Sequence, residues 1–334
     1  MDEKRGPFPP VLVVHGESMA LAWEAAYLAL AERGLVHDRK DDERDGGKPQ
    51  LDSSMIIEVR NPDADPFSHR AGGSNAVNQP LLDYYMEMMG SKPGKWWIRN
   101  FDDPTDERWE YNYHDSLENW GGNVAQPLFV SRMGLNQMDI VARKLIKHPS
   151  TRKAQAITWY PPRDTKASHT PCLQRIWFNI VYGEGEEDHL DIQYDFRSRN
   201  VVNASFGNMH AIYMLGCHVR EQVEEARGRK LTMRLVDRVN SFHVNSWDYP
   251  QYLDYIRNLR SRIAEKPVED RTLTRAEIID GLKAYREEVI EATLAQTEKY
   301  AKGADLGAER ERVNKLCDRI FYLLNKYAPK QNGS

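Results

Sequence analysis

RIWFNIVYGEGEEDHLDIQYDF, residues 175–196, consists of two apolar runs joined by a tip of glycine and glutamate. In the second run Leu190, Ile192, Tyr194 and Phe196 alternate with Asp191, Gln193 and Asp195. A period of two places one face of a strand in a core and the other toward water. RIWFNIVY (175–182) is rich in β-branched and aromatic residues, so the segment predicts a β-hairpin with GEGEED as its loop. Further strands are expected at AQAITW (154–159), VLVV (11–14), MIIEV (55–59) and around 231–237.

Helices are expected between them. Ser18 offers an N-cap for a helix through about Glu32 with a stop at Gly34, and PLLDYYMEMMG (80–90) ends at Gly90. NQMDIVARKLIK (136–147) ends at His148-Pro149, and another helix is expected near 205–227. Thr274 and Glu277 form a capping box that opens a helix to about 300, followed by an amphipathic helix over 308–327. Strands and helices in this order give an α+β fold: a main domain over 1–255 and a helical extension over 256–334 packed on it. DRKDDERDGGKPQ (38–50) is expected to be an exposed loop. The segment 90–130, rich in Trp, Tyr, Asn and Gly, either lines a cleft or packs on the sheet.

Composition removes several classes. The chain has 334 residues, 46 Lys+Arg against 50 Asp+Glu, and a net charge of −4, which argues against a nucleic-acid backbone binder. Mean hydropathy is −0.70, and no apolar run approaches the roughly 20 residues that span a bilayer, so no membrane partner is expected. The start, MDEKRGPFPP, lacks the apolar core of a signal peptide, so the expected address is cytoplasmic. Cys172, Cys217 and Cys317 are too few and too scattered for a disulfide framework or a zinc site, and no metal is expected.

No Walker A, GxGxxG, HExxH or CxxC motif is present. Three segments stand out instead. Thr170-Pro171-Cys172 meets the start of a strand, where a thiol is presented at a sheet edge and a nearby guanidinium favours the thiolate. Most single cysteines are simply small buried residues, and Cys217 in YMLGC and Cys317 after Leu316 fit that description. Arg197-Ser198-Arg199-Asn200 closes the best strand, and forked guanidiniums with a hydroxyl suit a phosphate as well as a solvated strand end. Ser150-Thr151-Arg152-Lys153 is a basic turn ahead of a strand.

Taken together, HPSTRKAQAITW (148–159), TPCLQRIWF (170–178) and FRSRNVVNASFGNMHA (196–211) resemble the thymidylate synthase superfamily in order and spacing. That superfamily carries two basic residues in a loop, then Pro-Cys, then Arg-Ser-x-Asp, then an Asn eleven residues beyond the Arg, the interval from Arg197 to Asn208. The resemblance covers about residues 80–250 well and 10–80 loosely, and leaves out the C-terminal helices. It implies a three-layer fold with a mixed sheet and a homodimer that binds a pyrimidine nucleoside monophosphate and 5,10-methylenetetrahydrofolate. By it, Cys172 is the nucleophile at C6, Arg197 and Ser198 hold the phosphate, and Arg152 and Lys153 reach the partner's phosphate. Asn208 takes the base edge, Tyr113 is the active-site tyrosine, and Glu87 is the acid-base carboxylate, with Asp83 as its competitor.

Three departures point away from an ordinary thymidylate synthase. Asn200 stands where the family has an Asp near the pterin, Ser241 and His243 replace the His-x-Tyr pair at the sugar, and Leu173 follows the cysteine in place of His. Weaker sugar contacts suit a ribonucleotide. The expected activity is therefore C5 hydroxymethylation of CMP or dCMP, ahead of a divergent dUMP-methylating enzyme and of an inactive nucleotide- or RNA-binding homologue.

Overall fold

The computed structural model describes residues 7–38, 49–70, 78–101, 103, 105–121 and 134–329. The N-terminal MDEKRG, residues 39–48 of the charged segment and residues 122–133 of the aromatic segment lie outside the described residues. The strands are β1 (Val11–Gly16), β2 (Leu35–Asp38), β3 (Pro49–Val59), β4 (Ser68–His69), β5 (Ala154–Ile157), β6 (Leu173–Val181), β7 (Glu187–Phe196), β8 (Arg199–Asn200), β9 (Lys230–Val244) and β10 (Thr272–Leu273). The helices are α1 (Met19–Arg33), α2 (Asn78–Met88), α3 (Gly94–Trp97), α4 (Tyr113–Glu118), α5 (Gln137–Lys147), α6 (Pro161–Asp164), α7 (Ser205–Arg227), α8 (Tyr249–Glu265), α9 (Val268–Arg271), α10 (Arg275–Ala284), α11 (Arg286–Tyr300) and α12 (Leu306–Lys326).

The expected hairpin is β6–β7, with Ile176 opposite Tyr194 and Phe178 opposite Ile192. It belongs to a mixed sheet of order β1-β3-β9-β7-β6-β5. β1–β3 and β7–β9 pair in parallel and the other neighbours on this path are antiparallel. β2 extends the β1 edge along β3, and β8 extends the β7 edge along β9. Two bulges interrupt the ladders. Gln174 is an extra residue between Leu173↔Phe196 and Arg175↔Asp195. Asn240 and Ser241 together face Ser54, between Ser53↔Phe242 and Met55↔Val239. A bulge bends its strand and re-aims the next side chains. These two fall beside Cys172 and His243.

One sheet face buries Leu190, Ile192, Tyr194 and Phe196 beneath α7, which is itself buried along most of its length. Gly216 permits the close approach, because a Cβ there would stand 2.6 Å from Ile192 Cδ1 and 2.8 Å from Met233 Sδ. Outside α7 lie α2, α5 and α12, so sheet, central helix and outer helices make the three layers. The other sheet face leaves Val11, Val13 and Val181 exposed. Among the described residues no helix is long and apolar enough to cross a membrane.

Several local expectations change in detail. Ser18 occupies the N-cap of α1 but makes no side-chain cap bond. β9 runs well past the expected strand, to Val244. The capping box at Thr274 is formed, yet the helix breaks at Tyr285 into α10 and α11, so that Ile278 and Leu282 on one and Val289 and Ile290 on the other are all buried. α8 crosses the boundary expected at residue 255, so the chain enters the extension without a linker. The extension is tied to α1 through Glu24, which accepts from Arg271 Nε at 2.8 Å and meets His69 Nε2 at 2.9 Å.

Burial alone would raise the Glu24 carboxyl, but the bonds from His69 and Arg271 outweigh it and hold the group at about 2. A depressed carboxyl stabilises the fold above its ordinary range, and that contribution is lost as pH falls toward 2. Urea unfolding from about pH 6 to about pH 2.5 is expected to cost the wild type about 3 kcal/mol more than Glu24→Gln; parallel pH curves would contradict this.

Candidate active site

Cys172 lies at the turn into β6, and its position is fixed from both sides. Arg197, leaving the end of β7, donates from Nε to Pro171 O at 3.2 Å and from Nη2 to Thr170 O at 2.9 Å. The Arg197 amide donates to Cys172 O at 2.9 Å, and the Leu173 amide donates to Tyr113 Oη at 3.4 Å. Further back, Glu110 accepts from the amides of Ser168 (3.0 Å) and His169, holding the loop that leads to the cysteine. The thiol is half-buried and opens on a cleft of about 780 Å³.

The other two cysteines are buried, Cys217 in α7 and Cys317 in α12, and burial pushes their thiols up to about 12 and about 11. Neither is a ready thiolate. Tyr111 and Tyr113 stand against Cys172 with their rings 5.6 Å apart. Burial raises both phenols, Tyr111 to about 12 and Tyr113 well above its ordinary range, so both remain neutral donors at physiological pH.

The cleft gathers Cys172, Tyr113, Glu87, Asp83, Asn208, Ser198, Asn200 and His243 from seven separate elements and turns. Asn208, one turn into α7, is buried at the cleft wall. Asn200 is engaged: its Nδ2 donates to Asp248 at 2.7 Å while its Oδ1 accepts from the Val202 and Asn203 amides, capping the turn into α7. His243 reaches the cleft from the end of β9, whereas Ser241 turns away and donates to Asp52 at 3.1 Å. Burial raises the Asp52 carboxyl, and His243 and Ser241 pull it back.

Arg197, Arg152 and Lys153 do not line this chain's cleft. Arg197 is spent on the carbonyls before Cys172, and Arg152 and Lys153 are exposed in the turn ahead of the edge strand β5. Among the described residues no group of three or more His, Cys, Asp or Glu side chains is placed to hold a metal ion.

Sequence reasoning did not single out Lys92, Trp109 and Tyr111, all of which line the cleft. All three lie in non-periodic segments, although the Tyr-x-Tyr spacing of 111–113 is a usable signal. Arg199, which looked available to a phosphate, is fully buried in an ion pair with Asp237 and stacks 4.7 Å from the Phe196 ring centroid. Removing one partner of such a pair strands the other charge out of water. Asp237→Ala is therefore expected to lower stability by about 3–5 kcal/mol in chemical denaturation, and joint replacement by Arg199→Met and Asp237→Leu by much less. A loss under about 1 kcal/mol for Asp237→Ala would contradict the pair's role.

No family model matches the chain. Among curated proteins, a "Putative thymidylate synthase" of Methanosarcina barkeri is 27% identical over 239 residues, covering 71% of this chain and 91% of the relative. The protein of the same name from Methanosarcina mazei is 26% identical over 248 residues, 74% of this chain and 95% of the relative. A third, from Methanopyrus kandleri, is 30% identical over 148 residues, 44% of this chain and 61% of the relative. The aligned length, the mixed sheet and the layered α+β architecture together support a likeness to the thymidylate synthase-like superfamily.

Proposed function

We propose that the protein transfers a one-carbon unit to C5 of a pyrimidine nucleoside monophosphate, with hydroxymethylation of CMP or dCMP as the specific reaction. The observation that carries this reading is the convergence of Cys172, Glu87, Tyr113 and Asn208 on one cleft. In it, the Cys172 thiolate adds to C6 of the base, and the displaced electron pair makes C5 nucleophilic. Asn208 holds the base edge; its amide serves uracil in one orientation and cytosine in the other. Ser198 is proposed for the phosphate together with the donors that Arg197 does not use on the Thr170 and Pro171 carbonyls, and His243 for the sugar, with Ser241 3.3 Å from its Nδ1. After C5 has bonded to the methylene group, its proton passes to a base in the cleft and the methylene's donor leaves with its bonding pair. Water then adds its oxygen to the methylene and gives up a proton, the electron pair displaced onto C5 rebuilds the C5–C6 double bond, and the Cys172 sulfur leaves C6 with the C–S pair.

The cleft fits a planar second substrate. The Trp109 ring is 41% exposed with Lys92 Nζ 4.9 Å from its centroid, and a second cavity of about 360 Å³ shares Asp83, Lys92 and Trp109 with the main one. When bound, methylenetetrahydrofolate supplies the methylene group. Asn200 is proposed at its side of the cleft. With its amide committed to Asp248 and to the turn, that position offers no carboxylate, which favours water over hydride as the group that ends the reaction. The names of the archaeal relatives favour the second reading, methylation of dUMP.

Arg152 and Lys153 are proposed to serve the partner's phosphate in a homodimer, a reading supported by their distance from their own cleft and by the uncovered sheet face. Sedimentation should then give a mass near twice 38.7 kDa; a monomer at every concentration would end the dimer reading. The test of activity is incubation with methylenetetrahydrofolate and UMP, dUMP, CMP or dCMP, followed by product mass. A gain of CH2O on CMP or dCMP is expected, and Cys172→Ala should abolish it while remaining folded. A gain of CH2 on dUMP would select the second reading, and no gain on any nucleotide would leave a binding protein.

A further inference from the structure

Between α2 and α3 the chain folds into a tight turn in which the Gly90 amide donates to Glu87 O at 3.1 Å and the Ser91 amide to Met86 O at 2.8 Å. Gly90 has φ +99°, and a Cβ there would lie 2.6 Å from His114 Nε2, so the turn requires glycine. Lys92 leaves this turn with its side chain only 6% exposed. Its ammonium lies 3.2 Å from Glu87 Oε2 and 3.3 Å from Asp83 Oδ2, with the Trp97 and Trp109 ring centroids at 5.6 and 4.9 Å. The Lys92 carbonyl accepts from Asn112 Nδ2 at 3.0 Å.

The C-terminal extension grips the same turn. Arg312 of α12 donates to Gly90 O at 2.8 Å and to Ser91 O at 2.9 Å, and is itself held by Glu309 at 2.6 Å. We infer that Lys92 is a positioning residue for the cleft's acid-base carboxylate, holding Glu87 in place and favouring its charged form, and that the helical extension serves the site by clamping the turn that carries Lys92. The inference rests on the proposed function for what Glu87 does in turnover; the geometry and electrostatics stand apart from it.

Glu87 and Asp83 are four residues apart on α2, neighbours on one helix face whose like charges repel. Burial pushes the Glu87 carboxyl above its ordinary range and Asp83 adds to this, while Lys92 and, more weakly, His114 on α4 pull it down. Burial works against the Lys92 ammonium, and the two carboxylates outweigh it and hold the group charged. The Tyr84 phenol on α2 also faces Glu87, and burial raises it, so it stays neutral. From the extension, α11 brings Thr293 and Gln296 to the neighbouring cavity, both uncharged, and α12 brings the paired Arg312 and Glu309 behind the turn. Lys92 is thus the cation in direct contact with Glu87 among the described residues. Removing it leaves the Glu87 carboxylate beside the half-exposed Asp83 carboxylate with no counter-charge at hydrogen-bond distance among the described residues.

The direct test is carboxyl carbon NMR of the full chain labelled at glutamate, with the Glu87 resonance assigned by its loss in Glu87→Gln. Lys92→Met should move the protonation midpoint of Glu87 to higher pH, and Arg312→Gln, which loosens the turn from a distance, should move it in the same direction by less. The acid limb of kcat/KM should follow, with about a tenfold loss at its acidic end for Lys92→Met. A Glu87 midpoint unmoved in folded Lys92→Met would overturn the inference, as would an acid limb that stays put while the midpoint moves. Should Lys92→Met fail to fold, an unmoved midpoint in Arg312→Gln would overturn it equally. Absence of turnover by the wild type with the midpoint displaced would remove the proposed function and leave the electrostatic role of Lys92 standing.

Discussion

The bond from the Arg197 guanidinium to the carbonyls of Thr170 and Pro171 decides where Cys172 points. Those carbonyls belong to a loop with no ladder of its own, and Arg197 directly follows the last residue of β7. The fork therefore transfers the rigidity of β7 to the turn that carries the Cys172 thiol. Pairing of β6 with β7 brings the two motifs side by side, and the bulge at Gln174 bends the strand just past the cysteine. A guanidinium used in this way is less free for a phosphate, although a strand-end arginine can bond carbonyls with some of its donors and an anion with others.

Much of this fold was legible because burial imposes short periods on the chain. The alternation in 189–196 states which residues of β7 face α7, and all four apolar ones are buried there. α8 was missed because its apolar stripe of Tyr252, Ile256 and Leu259 is thin and sits among tyrosines, arginines and a proline. The end of β9 was missed because NSFHV carries polar residues where the strand lines the cleft. Functional pressure there overrides the pattern that marks a strand.

The site was legible where chemistry is concentrated in short motifs at strand ends, and opaque where partners are remote. Arg199 resembled an anion ligand because Asp237, 38 residues on, becomes its neighbour only through the β7–β9 register. Lys92 was silent for the same reason. Its meaning depends on Glu87 across a glycine turn, on Trp109 from an irregular loop, and on Arg312 more than two hundred residues away. The C-terminal helices, which the family resemblance leaves out, meet the cleft through that one turn.

The central claim is that Cys172 forms a bond to C6 of a pyrimidine nucleotide. It is tested most directly with the 5-fluoro analogues of CMP, dCMP and dUMP, whose C5 substituent cannot depart as a proton, so that the thioether persists once C5 has been alkylated. Each analogue is incubated with the protein and methylenetetrahydrofolate, and the digested chain is analysed by mass spectrometry. The account predicts that the peptide containing Cys172 gains the mass of a nucleotide together with the methylenetetrahydrofolate joined to its C5 with at least one analogue, and that peptides containing Cys217 and Cys317 do not. An unmodified Cys172 peptide with every analogue would contradict it.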